Sequence, residues 1–324
     1  MANVAITTPA TEAANAKLID PGVKKVWFDE FSQLAPKLDS VFNVSSMDGA
    51  YEDHVSYAGL GEAESLSEGE TYGEDAVLHT YNTTFTAQKY GKMMPVSYEL
   101  LDDQYAKVAG QTKSAARATA RTVEKLAAQV YNKAFNTSYT SFGDSKPLCS
   151  TDHTRADGGS AQSNASSTSI VFSEANLETG VLAMRNQLDD RGNLLDVVPT
   201  TILVPPALEK EVIIVTKSEK RSGTADNDAN VNGMAEYTGG RLRVIVWNYL
   251  GSAAGGSDTA WFLLGGQNEL AWKWRKKPYI EKMSKATGEK NDISYWKYGF
   301  RAISGWTNWR ALWGSQGTAA AYSS

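Results

Sequence analysis

Tyr81-Asn-Thr-Thr-Phe-Thr-Ala-Gln-Lys-Tyr-Gly-Lys-Met-Met-Pro-Val-Ser-Tyr-Glu-Leu-Leu-Asp-Asp103 holds two periodicities in one run, and the switch between them decides the fold. The first part continues an alternation that begins upstream. Val77, His79, Tyr81, Thr83, Phe85 and Ala87 lie on one side of a period-two pattern, which is a strand. After Pro95 the period changes. Ser97 is placed to cap a helix, and Glu99, Asp102 and Asp103 put negative charge where the helix dipole favours it. Tyr98, Leu101, Tyr105, Val108, Thr112, Ala115, Thr119, Val123, Leu126, Val130 and Ala134 then recur at steps of three or four, a single helix face. Glycine costs ~1 kcal/mol inside a helix, so Gly110 is expected to split this run into a short helix and a longer one, Gln111 to Phe135. The outer face of the longer piece carries Lys113, Arg117, Arg121, Lys125 and Lys133 against the single acid Glu124.

Upstream of the quoted run the charge reverses. Between Asn43 and Gln88 there are nine acids, among them Glu62, Glu64, Glu68 and Glu70, and no Lys or Arg. Glycines 49, 59, 61, 69 and 73 punctuate the same stretch. Its few apolar residues cannot offset the entropy of ordering it alone. Tyr51, Val55 and Tyr57 at the front pair naturally with the strand at the back, so the segment reads as a long β-hairpin with an acidic tip. An isolated hairpin is marginal in water and needs a partner surface, expected on another chain. The basic helix face beside it is one such surface, so Glu62, Glu64, Glu68 and Glu70 are expected to meet Lys113, Arg117, Arg121 and Lys125 across a subunit boundary.

Downstream, Gly158 to Ser169 is a surface loop, and Ser173 caps a helix with the stripe Leu177, Val181, Met184 and Leu188, ending near Asp190 to Gly192. Val197 to Val204 reads as a buried strand, and Pro206 opens a helix with Leu208, Val212 and Val215 on one face. Ser218 to Gly233 is polar and Gly/Asn/Asp-rich, and is expected to be a mobile loop. Leu242 to Trp247 and Trp261 to Leu264 are further strands. This alternation predicts a compact α/β unit inserted at about Thr140. From Leu270 to Trp313 the chain is aromatic and basic, with ten bases and three acids. Leu270, Trp272 and Trp274 alternate, and so do Trp296, Tyr298, Phe300 and Ala302. These strands are expected to pair with each other and with the strand before the long helix, with Trp272 and Trp274 inward and Lys273 and Arg275 outward.

This order of parts resembles the major capsid proteins of tailed bacteriophages with the Hong Kong 97-type fold. The quoted run is similar to the family's passage from extended loop to spine helix, and Thr200-Thr-Ile-Leu-Val-Pro-Pro-Ala-Leu208 is similar to its strand-to-helix entry. The resemblance implies an α+β fold with an N-terminal arm at 1–43, an extended loop at 44–88 and a peripheral domain from 89–139 and 267–314. An axial α/β domain at 140–266 and a C-terminal tail at 315–324 complete it. It also implies a major head protein that self-assembles, as hexamers and pentamers, into an icosahedral shell around double-stranded DNA. The virion would be its location and the host bacterial cytoplasm its birthplace. Portal and cement proteins are partners it implies and, since only about 45 residues precede the loop, a separate scaffold protein or none. The alternative is an encapsulin-like compartment storing cargo enzymes. The lysine-to-asparagine crosslink of one family member cannot start from this loop, which has no lysine.

Other chemistries fit the residues poorly. Net charge is −5, against a dedicated nucleic-acid binder, although Trp272-Lys-Trp-Arg-Lys-Lys277 leaves room for weak, non-specific contact with packaged DNA. Met1-Ala-Asn-Val-Ala-Ile-Thr-Thr lacks the pattern of a secretory signal, and no run is long enough to span a bilayer, so no membrane partner is expected. Cys149, the lone cysteine, excludes an internal disulfide. Cys149 and His153 could form a nucleophile pair, yet their polar loop argues for chance proximity. Asp226-Asn-Asp228-Ala-Asn230 begins like a calcium loop but has Val231 and Tyr237 where geometry requires Gly and Glu. Gly59-Leu-Gly61 lacks the rest of a phosphate loop. No enzyme, cofactor or metal site is expected.

Overall fold

The computed structural model describes residues 9–34, 37–63, 65–218, 242–283 and 293–317, with side chains at all of these except 9–20 and 102. Ser97 ends the quoted strand as expected: its side chain accepts from the Leu100 N–H at 3.3 Å. The helices that follow are α3, Tyr98–Asp103, and α4, Tyr105–Asn132. The break falls at Gln104, with φ −139° and ψ 53°, rather than at Gly110. Gly110 is exposed, with nothing within 4 Å of where a Cβ would stand. Its propensity cost is outweighed by the buried faces on either side of it. At 28 residues α4 is about 42 Å long. Its buried stripe includes Val108, Thr112, Ala115, Ala116, Thr119, Ala120, Val123 and Ala127. So many small side chains let neighbouring elements approach the helix closely.

Two sheets frame α4. In the first, strands run in the order β1 (Asn43–Ser46), β8 (Leu270–Lys282), β9 (Ile293–Trp306), β4 (Gln88–Ser97). β8 and β9 pair antiparallel with Leu270 opposite Trp306, and β9 pairs with β4 from Gln88 opposite Ala302 to Ser97 opposite Ile293. These are the partners expected from alternation. The fourth strand was not: β1 lies parallel to β8 on the other edge. The second sheet runs β10 (Leu312–Ser315), β7 (Trp261–Gly265), β5 (Pro199–Val204), β6 (Arg243–Val246). Helices α5 (Glu174–Arg185), capped by Ser173, and α6 (Glu209–Lys217), entered through Pro206, pack their apolar residues against it. The return segment therefore serves both sheets, since β10 pairs with β7. One core joins the layers, with Val123, Ala127 and Tyr131 of α4 packed among Trp272 and Trp306 of the first sheet and Phe262 and Leu264 of the second.

The N-terminal arm contains a 25-residue helix, α1, Pro9–Gln33, followed by α2, Leu38–Val41. Val23 and Trp27 of α1 are fully buried in a cluster with Val108, Ala115 and Ala116 of α4. Between β1 and β4 the chain makes the expected hairpin, β2 (Tyr51–Ala58) with β3 (Leu78–Thr86), a two-stranded sheet of its own. No described helix is long and apolar enough to cross a membrane. The Ser218–Gly233 loop, beyond Ser218 itself, and the Asp226–Asn230 motif lie outside the described residues.

Candidate assembly surfaces

The hairpin is exposed over most of its length and seated only at its ends. Tyr51, Val55 and Tyr57 are exposed by 65%, 44% and 59%, and Tyr72 at the tip by 82%. At the base Thr83 and Phe85 are buried. There Lys273 of β8 corrects the sequence reading, because its side chain does not face solvent but is 5% exposed. The arm folds over it. Its ammonium donates to Glu52 Oε1 at 2.7 Å, contacts the His54 ring nitrogen Nε2 and stands 4.9 Å from the Phe85 ring centre. The Lys273 hydrogen bond is the chief reason the Glu52 carboxyl is held below its usual range. Tyr81 adds a hydrogen bond to Thr154 Oγ1 at 2.7 Å and an edge contact with Phe142. A partner surface was expected on another chain; the first one is on the arm's own chain.

The tip acids Glu62, Glu68 and Glu70 are exposed, while Glu64 lies outside the described residues. On α4, Lys113, Arg117, Arg121 and Lys125 are all exposed. Their spacing of four places them along one line with about 6 Å between neighbours. A single chain does not bring the two sets together: no ion pair among the described residues joins a tip acid to this stripe. Arg117 instead pairs with Glu30 of α1 at 2.7 Å, which pins α1 alongside α4. A groove of about 520 Å³ opens beside the stripe, lined by Leu34, Lys37, Arg117, Arg121, Glu124 and Tyr249 among others. Glu124 is occupied there, accepting from the Lys37 N–H and the Trp247 indole. With Arg117 paired to Glu30 and the Lys37 ammonium bonded to the Val246 carbonyl, Arg121 is the lining cation left to meet an entering group.

The loop that holds Cys149 and His153 is a buried structural network. His153 is fully buried and stacked on Trp309, ring centres 3.9 Å apart. Nδ1 meets Asp144 Oδ2 at 2.7 Å and Nε2 meets Asn164 Oδ1 at 3.2 Å, so neither nitrogen is free to serve a nucleophile. Burial pushes the Cys149 thiol well above its ordinary pKa, the opposite of what a reactive thiolate needs. No group of three metal-ligating side chains occurs among the described residues.

Sequence reasoning missed Glu30, Lys273 with Glu52 and His54, and the pair Asp75–Arg191. A signal existed for the first. Val23, Trp27 and Phe31 recur every four residues, and Glu30 lies beside that face, but Asp20-Pro21-Gly22 reads as a breaker. For the other two there was none, because each joins residues more than a hundred positions apart.

The model of a phage capsid protein family matches residues 80–314. No curated protein matches the chain in sequence. Among solved structures, a Microbacterium phage Oxtober96 chain shares the fold with a TM-score of 0.51 at 12% identity, over 85% of this chain and 88% of that one. A virus-like particle from Pyrococcus furiosus has a TM-score of 0.51 at 11% identity, covering 91% and 98%. The capsid of the myovirus phage XM1 has a TM-score of 0.50 at 10% identity, covering 84% and 88%. Likeness in fold alone does not separate a phage shell from other particles, but the family match does favour it over an encapsulin-like compartment. Because that match spans well over half of the 324 residues, the chain belongs to the phage capsid protein family, as a major capsid protein that builds the icosahedral shell.

Proposed function

We propose that subunits join by laying the acidic hairpin tip of one chain on the basic stripe of α4 in the next, within hexamers and pentamers. The observation that carries this is the mismatch inside one chain. Exposed Glu62, Glu68 and Glu70 have no ion-pair partner among the described residues, and neither do Lys113, Arg121 and Lys125. Glu64 joins the acidic set by its place in the sequence. Each exposed pair contributes only ~0–1 kcal/mol, but a closed shell repeats it in every subunit. The shell encloses double-stranded DNA and is made in the host bacterial cytoplasm. Non-covalent locking, helped by a cement protein, takes the place of a crosslink, and a separate scaffold and a portal complete the head. The subunit acts without catalytic chemistry, which the sealed His153 and Cys149 support.

Charge reversal tests the docking. Lys113→Glu with Arg121→Glu and Lys125→Glu should stop assembly and leave the fold intact. Arg117 is spared because of its bond to Glu30. Adding Glu62→Lys, Glu64→Lys, Glu68→Lys and Glu70→Lys should partly restore particles, since the contact depends on opposite sign. High salt should mimic the reversal, because the Debye length falls to ~3 Å at 1 M. If the doubly reversed protein assembles no better than the singly reversed one, the tip docks elsewhere. Purified particles that hold cargo enzymes and no double-stranded DNA would favour the encapsulin-like alternative.

A further inference from the structure

The arm is gripped a second time at its neck, far along the chain from its base. Arg191 Nη1 donates to Asp75 Oδ1 at 2.8 Å, and Nη2 donates to the Ala76 carbonyl. The other oxygen of Asp75 accepts from the Gly61 N–H at 2.6 Å. One guanidinium therefore holds the returning leg of the hairpin, and Asp75 ties that leg to the outgoing one. The fork suits this task, since two donors at fixed angles fix direction as well as distance.

The other side of the contact is built to stay still. Arg191 sits in a turn closed by Asp189, whose Oδ1 accepts from the Arg191 and Asn193 N–H groups, both at 2.8 Å. Burial alone would raise the Asp189 carboxyl, but the Asn193 side-chain amide, donating to Oδ2 at 2.9 Å, together with these backbone N–H groups outweighs it and holds it below its usual range. Gly192 takes φ +88°, which only glycine adopts freely, to complete the turn. The preceding residue is anchored too: Asp190 Oδ1 accepts from buried Arg310 at 2.9 Å. Arg310 also donates to the Leu188 carbonyl at 2.9 Å and lies over the face of Trp309, which stacks on His153. A line of buried contacts thus runs from His153 and Trp309 through Arg310 to Asp190, and the partly exposed Arg191 next to it carries the line on to the neck of the arm.

We propose that Arg191 is a positioning residue for shell assembly: it sets the direction in which the arm leaves its own subunit. The arm rises from the first sheet at Lys273, but its neck is tied to the turn after α5, beside the second sheet. Its direction then follows the second sheet's layer, and any shift of that layer against the first re-aims the tip. The inference rests on the hairpin reaching a neighbour, and not on which surface of the neighbour receives it.

The test measures arm direction in the unassembled subunit. Nitroxides at Glu68→Cys and Leu182→Cys report tip against α5, and Cys149, the only native cysteine, is buried and stays unlabelled. Wild type should give one narrow distance distribution. Arg191→Ala should give one about twice as wide, as expected of an element held only at its base, by Lys273 and the Tyr81–Thr154 contact. Arg191→Lys, which keeps the charge but loses the planar two-pronged fork, should fall between the two. In assembly reactions Arg191→Ala should give open or mis-sized particles at unchanged melting temperature. An unchanged distribution in Arg191→Ala overturns the proposal, and so does a broad one accompanied by normal shells. Failure of the α4 docking appears differently: charge reversal on the stripe would then be silent while Arg191→Ala still broadens the arm.

Discussion

Two long antiparallel hairpins lie in this chain, and they use the same alternation for opposite ends. In β8–β9, Leu270, Trp272, Trp296, Phe300 and Trp306 point into the core and are at most 1% exposed. Strands β1 and β4 complete the sheet on either side. In β2–β3 the corresponding row, Tyr51, Val55 and Tyr57, lies open to solvent, and among the described residues no third strand joins it. The first hairpin holds the subunit together. The second exposes apolar and acidic surface that a monomer has no use for, which is the mark of an interaction surface. The two touch through Lys273, where one hairpin's strand supplies the cation and the other supplies Glu52 and His54.

The sharpest way to break this contrast is to attack the first hairpin. Trp306 is fully buried, with Tyr139 5.9 Å away, and Trp306→Ala should cost ~3–5 kcal/mol of unfolding free energy. Thermal melting would show it as a large drop, or as a protein that no longer folds. An unchanged melting temperature would remove the hairpin from its place as the core of the subunit.

The contact between the hairpins comes next, and there the order of effects is informative. Lys273→Met removes the buried charge and keeps most of the stem, so the expected cost is ~1–2 kcal/mol. Glu52→Ala leaves the ammonium buried without its carboxylate, and should cost more, ~2–4 kcal/mol. The double variant should be no worse than Glu52→Ala alone. Additive losses in denaturant titrations would show that the two groups act independently.

Deleting Gly59–Gly73 should change stability by less than ~1 kcal/mol, because this tip has few buried residues to lose. Closed shells should nevertheless disappear. Unfolding of the deletion variant would mean that the tip belongs to its own chain's core.

How much of this was legible beforehand follows from what each feature depends on. The β4-to-α3 switch, the Ser97 and Ser173 caps and the Pro206 entry are local, and periodicity with capping chemistry locates them within a few residues. The alternation at Trp272 and Trp296 also placed β8 and β9 correctly. It misplaced Lys273 because alternation says which residues share a face, not what covers that face, and here the arm base covers it. Gly110 misled for a related reason: a local propensity of ~1 kcal/mol was set against burial that sequence alone could not measure. The arm's anchor Arg191 was beyond reach, since nothing near it in sequence points to Asp75. Charge asymmetry between the tip and α4 was legible as composition, yet the pairing of Arg117 with Glu30 shows that part of the stripe is already used within the chain.

The smallest expected effect concerns charges on the solvent side of the first hairpin. Glu281 meets Lys276 at 2.9 Å and Lys297 at 3.1 Å, all three side chains being 39–47% exposed. Hydrogen bonds from Lys276 and then Lys297 hold the Glu281 carboxyl below its usual range. Its pKa is lowered in the folded state, so the stabilisation is present above the unfolded value, about 4.3, and is lost as pH falls through the folded one. Exposed pairs are worth ~0–1 kcal/mol. Glu281→Gln should therefore lower the melting temperature by only a degree or two at pH 7, and the difference from wild type should close as pH falls below about 4. Salt at 1 M should close it at pH 7 as well, with the Debye length near ~3 Å. A loss as large as that of Glu52→Ala would show that the outer face of β8–β9 is as enclosed as the site under the arm, and the contrast between the hairpins' two settings would have to be redrawn.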